Sequence, residues 1–262
     1  MNKNQKALIL ARGLGTRMKA DRKDAALSPS QDKIAGLGLK TLVPIVGEKT
    51  LLDFIFENLT KAGFRRFCLV IGAEHQAIRD FCAPQPYKIS FVIQEKPLGT
   101  ADAVLAAESF VEDELFLVVN SDNLYPVNDL RRLCEMDQPG LIAFERTSLI
   151  QKSNIHAERI KGFAVIETDE TNHLCKIMEK PQKVEENSFV SMNAWLFSPK
   201  IFAACRSINL SPRNEFELTD AVMFAIESLG EKFKAVRSTE GVLDLSSRAD
   251  IQGVAEKLRS NG

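Results

Sequence analysis

Apolar residues along this chain follow two rhythms. Short dense runs at Lys6–Ala11, Phe67–Gly72, Ile89–Ile93, Leu115–Val119 and Leu141–Phe144 have the length and composition of strands buried on both faces. Between them the apolar positions take up a mainly helical spacing. Thr50 is a good N-cap, Leu51, Leu52, Phe54, Ile55, Phe56, Asn58, Leu59 and Ala62 follow it, and Gly63 ends the segment. Similar helices are predicted at Glu74–Phe81, Thr100–Phe110 and Val127–Cys134. A β-α-β-α succession with short connections predicts an α/β fold. Its form is Rossmann-like, three layers α/β/α, with a mostly parallel central sheet joined by right-handed crossovers. Ligands of such sheets bind at the carboxyl ends of the strands.

Past about residue 145 the rhythm changes. Strands are predicted at Gly162–Thr168, Leu174–Met178 and Phe189–Phe197, followed by helices at Pro199–Cys205, Phe216–Ser228 and Ser246–Leu258. No linker or internal repeat interrupts the chain, so 1–262 is expected to be a single domain. Within it a first part of about 1–145 is followed by a second part of about 146–262. The anomalous segment is 19–39, polar with scattered Gly and Ala. It is expected to be an inserted loop, either a lid or a passive solvated insertion.

Composition removes several function classes. With 262 residues, 45% hydrophobic, 26% charged and a net charge of −1, the chain is an ordinary globular protein with no bulk-charge signature of nucleic-acid or membrane binding. Five cysteines, odd in number and far apart with no C-x-x-C pair, point to the reducing cytoplasm. The three histidines lie in unrelated segments, so a metal is expected to be a hard ion held by carboxylates rather than zinc.

Directly after the first strand comes Ala11-Arg12-Gly13-Leu14-Gly15-Thr16-Arg17-Met18. Two glycines allow a tight turn whose amides can face a phosphate chain, and Arg17 adds a cation. Met18 at the third glycine position excludes the dinucleotide fingerprint, and the absence of Gly-Lys-Ser/Thr excludes a P-loop. Asp122, just past the run Leu115–Val119, belongs at the carboxyl end of a strand; taken alone it could simply open a turn.

The chain resembles the sugar-1-phosphate nucleotidyltransferase family, also called the NDP-sugar pyrophosphorylases, on a set of blocks in the family's order. These are Leu10–Met18, Lys40-Thr41-Leu42-Val43-Pro44-Ile45, Gln94–Ala101, Asn120-Ser121-Asp122-Asn123, Glu179-Lys180-Pro181, Ser191-Met192-Asn193, Glu215–Asp220 and Leu243-Asp244-Leu245. The resemblance implies transfer of a nucleotidyl group from a nucleoside triphosphate to a sugar 1-phosphate, with release of pyrophosphate. It implies Arg17, Lys40 and Lys180 as catalytic cations. The nucleotide would lie on Ala11, Gly13, Gly15, Thr16, Gln94, Gly99, Thr100 and Asp122, the sugar phosphate on Gly162, Glu179, Lys180 and Asn193, and Mg²⁺ on Asp122 and Asp244.

Gln94 and Gly99 resemble the base-reading positions of uridylyl and thymidylyl enzymes, so UTP or dTTP is favoured. Trp195 is expected to pack in the core rather than stack on sugar. Departures from the family pattern are Arg12 in place of a small residue, Leu39 before Lys40, Ser121 before Asp122 and a long gap between Arg17 and Lys40, within which Lys33 is a rival cation. The alternatives are a non-catalytic nucleotide- or sugar-phosphate-binding regulator and a cytidylyl or guanylyl transferase of the same fold. A glycosyltransferase is disfavoured because Asn120-Ser121-Asp122 lacks the first Asp of an Asp-x-Asp. Neither a nucleic acid nor a membrane is expected as partner, and a homo-oligomer stays open.

Overall fold

The structure, a computed structural model, describes residues 5–20, 27–179 and 188–260. Nine strands form its main sheet, numbered here in chain order: β1 Lys6–Leu10, β2 Arg66–Ile71, β3 Lys88–Ile93, β4 Phe116–Asn120, β5 Gly140–Glu145, β6 Val165–Thr168, β7 Leu174–Met178, β8 Phe189–Phe197 and β9 Lys234–Ser238. β1 lies between β2 and β4 and is parallel to both, and β3 extends this parallel part beyond β2. On the other side β8 runs antiparallel to β4, β5 and β6, and β7 is antiparallel to β6. β9 closes the far edge, parallel to β5. The parallel centre carrying β1 to β4 matches the expected α/β architecture, while the second half adds an antiparallel extension.

Alternation along each strand feeds two apolar layers. Ala7 and Ile9, Leu69 and Ile71, and Leu117 and Val119 pack under the helices Leu51–Ala62, Val127–Cys134 and Asp250–Ser260. Leu8, Cys68, Val70, Phe116 and Val118 point the other way, into the layer formed with the helices Thr100–Ala106, Lys200–Ser207 and Leu218–Leu229. Strands apolar on both faces are what a sheet covered on both sides requires. Trp195 is fully buried, stacked on Phe197 and edge-on to Phe233, as a core residue. Among the described residues no helix is long and apolar enough to cross a membrane.

Three local outcomes differ from the sequence pattern. The helix predicted at Thr100–Phe110 is interrupted at Ala107, giving Thr100–Ala106 and Glu108–Val111. β9 was not expected, because Lys234–Ser238 offers only Ala235 and Val236 as apolar residues. The segment 19–39 is not a loop throughout. Its residues 21–26 lie outside the described residues, but Pro29–Leu37 is a helix opened by a capping box between Ser28 and Gln31 and closed by Gly38 in the left-handed region.

This inserted helix is docked, which replaces the lid and solvated-loop expectations for its described part. Ala35 is buried, and Leu27, Ile34 and Leu39 pack against the core. Gln31 Nε2 donates to the Pro44 carbonyl at 2.8 Å. Arg248, itself buried, donates through Nε to the Met18 carbonyl at 2.9 Å and pairs with Asp32. Replacing Arg248 with Met should therefore leave the Met18 carbonyl unpaired and cost about 1–3 kcal/mol in urea unfolding. A change below about 0.5 kcal/mol, the range of an ordinary surface substitution, would refute this role.

Candidate functional site

At the carboxyl ends of β1 and β4 a cavity of about 460 Å³ opens between the loop Ala11–Arg17, the stretch Gly38–Thr41, the segment Gln94–Ala103 and Asn120–Asp122. The parallel register explains why these segments meet. Leu10 pairs with Asn120 on one side and Val70 on the other, so the chain leaves all three strands at one edge. Ala11 is still anchored, its amide donating to the Val70 carbonyl at 2.8 Å, and Ser121 donates to the Leu10 carbonyl at 3.1 Å.

The two loop glycines have different reasons to be glycine. Gly15 has φ +62°, and a Cβ there would collide with the backbone of Gly38 at the end of the inserted helix. Gly13 has nothing within 4 Å of the place its Cβ would occupy, so it faces open space. The helix after the loop, Thr16–Lys19, is a single turn. Its dipole is small, and attraction of an anion falls to the loop amides and to the nearby cations. Arg17, at the cavity wall, makes no hydrogen bond or ion pair with the described residues.

Lys40 and Asp122 line the same cavity and are joined by an ion pair of 2.9 Å between Nζ and Oδ2. Lys33, the rival cation, is exposed on the inserted helix and does not line the cavity. Asp122 Oδ1 carries no partner among the described residues, so one hard carboxylate oxygen is available to a cation of the magnesium type, which takes few protein ligands. The expectation that Asp244 would share such an ion meets a different arrangement. Its Oδ1 is paired with Arg159 and its Oδ2 accepts from Asn123 Nδ2 at 3.0 Å. Burial opposes the charge on Arg159, yet Asp244 and Asp250 outweigh it and its pKa is raised, so the guanidinium stays on Asp244. Asp244 does not line the cavity, and no cluster of three or more His, Cys, Asp or Glu suited to a metal occurs among the described residues.

Gln94 and the residues after it form a second wall. Gln94 is buried, and its Nε2 donates to the Gly99 carbonyl at 3.0 Å and to Asp102 Oδ2 at 2.7 Å. Gly99, which resembles a base-reading position, has φ +119°, and a Cβ there would strike the backbone of Phe216. The block Glu215–Asp220 clasps this turn through Phe216 N to the Leu98 carbonyl at 2.7 Å, Ala101 N to the Phe216 carbonyl at 2.9 Å, and Leu218 N to Thr100 Oγ1 at 3.0 Å. Thr100 thus lines the cavity with its hydroxyl already engaged.

The remaining expected residues sit at one end of the antiparallel extension. Met178 and Val190 both pair with Val165, which brings Glu179 and the region of Gly162 to the end of β6–β8 where Asn193 lies. Trp195 pairs with Val118, so Asn193 falls level with the carboxyl end of β4. Asn193 has φ +59° within a bulge between Ser191 and Trp195, and its Oδ1 accepts from Trp195 Nε1 at 3.3 Å. A left-handed non-glycine in a strand is a strained position of the kind found at working sites. Gly162, Glu179 and Asn193 do not line the nucleotide-side cavity. Lys180 lies outside the described residues.

Nothing in the sequence pattern singles out His75 or Tyr125, and Arg12 stands out there only as a departure from the family pattern; each follows the carboxyl end of a parallel strand. His75 lines the cavity, and burial lowers its pKa, so the ring is neutral near pH 7. Arg12 ties the wall together, donating through Nε to the Gln94 carbonyl at 2.7 Å and through a terminal nitrogen to Glu74 at 2.6 Å. Tyr125 donates to the Met192 carbonyl at 2.6 Å, linking the residues after β4 to the Asn193 bulge; burial, with Asp122 and Asp244 nearby, raises its pKa well above the usual value.

Comparison with known proteins accords with this geometry. The family model described as Nucleotidyl transferase matches residues 6–259, and the chain belongs to that family. It is 30% identical over 222 residues to a Bifunctional protein GlmU of Methanococcus maripaludis, covering 84% of this chain and 47% of that protein. The chain thus spans about half the length of the archaeal bifunctional relatives it matches. It is 25% identical to the UTP–glucose-1-phosphate uridylyltransferase AglF of Haloferax volcanii, covering 97% of this chain and 96% of that one. A solved UDP-glucose pyrophosphorylase complexed with UDP-glucose superposes with a TM-score of 0.77 at 19% identity, covering 99% of this chain and all of that one, which establishes a shared fold.

The contrast between the two loop glycines is testable by unfolding. Gly15→Ala should lose about 1–3 kcal/mol from strain and displacement of Gly38. Gly13→Ala should stay within about 0.5 kcal/mol of the parent. Equal losses at both positions would show that the close approach of Gly15 to Gly38 is not what constrains the loop.

Proposed function

We propose that this member of the nucleotidyl transferase family joins a nucleoside triphosphate, UTP or dTTP by preference, to a sugar 1-phosphate and releases pyrophosphate. The reading rests on one cavity that gathers a glycine loop facing open space, the cations Arg17 and Lys40, the carboxylate of Asp122 and the amide of Gln94. A phosphate chain fits the loop and the cations, and a base fits the Gln94 wall. The sugar phosphate belongs at the adjacent end of β6–β8, on Gly162, Glu179 and Asn193, and the family resemblance adds Lys180. Asn193 Nδ2 has no partner among the described residues and can donate to a sugar hydroxyl.

In the reaction an oxygen of the sugar 1-phosphate attacks the α-phosphorus in line. The bond from that phosphorus to the bridging oxygen breaks, and pyrophosphate leaves with the electron pair. Two anions meet in this step, so the protein's work is to neutralise and align them. Lys40 holds the triphosphate, Arg17 meets the leaving pyrophosphate and Lys180 holds the attacking phosphate. Asp122 is the residue that would hold Mg²⁺, which when bound supplies positive charge against the phosphate oxygens. Asp244 stands beside the turn that carries Asp122: its Oδ2 accepts from Asn123 Nδ2 at 3.0 Å, and the neighbouring Leu245 amide donates to the Asp122 carbonyl at 2.8 Å. An exposed thiol at Cys175 that forms no disulfide suits the reducing cytoplasm.

The test is pyrophosphate release with Mg²⁺, a panel of triphosphates and a panel of sugar 1-phosphates, using the parent chain and Asp122→Asn. Release should need one member of each panel and disappear in the variant. Arg17→Ala should lower turnover by about 10²- to 10³-fold if it stabilises the departing charge, and a loss under about threefold would remove it from that role. Nucleotide binding with no release from any pair would favour the regulatory alternative.

A further inference from the structure

Gln94 has an amide whose two ends ask opposite things of a ligand. The NH₂ end donates and the oxygen accepts, so which end faces the cavity decides which base edge is complementary. The described residues leave little freedom in this choice. Nε2 is held by two acceptors, the Gly99 carbonyl at 3.0 Å and Asp102 Oδ2 at 2.7 Å. An ionised carboxylate can only accept, so a flipped amide would place oxygen against oxygen there. Oε1 has no partner among the described residues, although Gln94 is only 3% exposed and lines the cavity. Arg12 holds the Gln94 carbonyl at 2.7 Å, so the backbone below the amide is pinned as well.

We infer that Asp102 is a specificity-determining positioning residue: it fixes the Gln94 amide with its oxygen toward the cavity and so selects bases that present an N–H donor. Uracil, thymine and guanine carry such a ring N–H, whereas cytosine and adenine offer a lone pair at the corresponding atom. A ring nitrogen lone pair against Oε1 leaves both acceptors unsatisfied and desolvated, the arrangement that gives hydrogen-bonding sites their strongest discrimination. Asp102 itself stands in the first turn of the helix Thr100–Ala106, one turn behind the cavity wall, and does not line the cavity. It acts through Gln94. The inference rests on the reading of this cavity as a nucleotide site.

Binding of UDP and CDP measured by calorimetry tests it without requiring turnover. The parent chain should bind UDP about 10- to 100-fold more tightly than CDP. Asp102→Ala, a substitution that a helix accepts, removes the shorter of the two bonds that orient the amide, leaving only the Gly99 carbonyl, and should narrow that ratio at least about fivefold. Asp102→Asn, which keeps an oxygen acceptor near Nε2, should retain more of the preference than the Ala variant. In turnover assays the Ala variant should show the change chiefly in KM for the triphosphate. A UDP to CDP ratio in the Ala variant within about twofold of the parent, or no preference in the parent itself, would overturn the inference. Preference for UDP that depends on Asp102, in a chain releasing no pyrophosphate, would uphold it while removing the transferase reading.

Discussion

The parallel pairing of β1 between β2 and β4 is the constraint from which the rest of the site follows. Parallel neighbours must all leave the sheet at the same edge, so the loops after residues 10, 71 and 120 converge whatever their own sequences prefer. That convergence brings Gly13 and Gly15, His75, and Asp122 around one opening. The antiparallel run of β8 alongside β4 then delivers Asn193 to the same edge from the opposite chain direction. The opening is thus assembled by strand direction, and the charged side chains only refine it.

Those charges are distributed unequally. Asp122 keeps one oxygen uncommitted, while Asp244 has both oxygens engaged by Arg159 and Asn123. Two carboxylates that look equivalent in a motif therefore serve different ends, one facing the cavity and one holding a turn. The same division separates Arg17, without a partner among the described residues, from Arg12, whose guanidinium is spent on Gln94 and Glu74.

Much of the centre was legible because a strand buried on both faces leaves an unmistakable apolar run, as at Leu115–Val119, and because Thr50 and Gly63 mark helix ends chemically. The Gly13–Arg17, Lys40 and Gln94–Thr100 segments were legible as blocks and meet at the cavity. The inserted helix was hidden because its apolar face is narrow, with Ala35 as its one fully buried residue, and its stability comes from partners far away such as Arg248. β9 was hidden because its neighbours, not its composition, make it a strand. The partner of Asp244 was hidden because Arg159 is 85 residues away and no spacing encodes such a contact.

The bond from Arg248 to the Met18 carbonyl spans 230 positions, and the pair with Asp32 spans 216. Contacts of such separation close only after most of the chain has been joined, and loop closure makes them late events in folding. The turn at Gly15 leans on Gly38, and the helix ending at Gly38 is held in turn by Arg248. A nascent chain that has already formed β1 to β4 therefore still lacks a finished turn at Gly15. The opening at the carboxyl ends of β1 and β4 takes its final shape as one of the last steps of assembly, once Arg248 has docked.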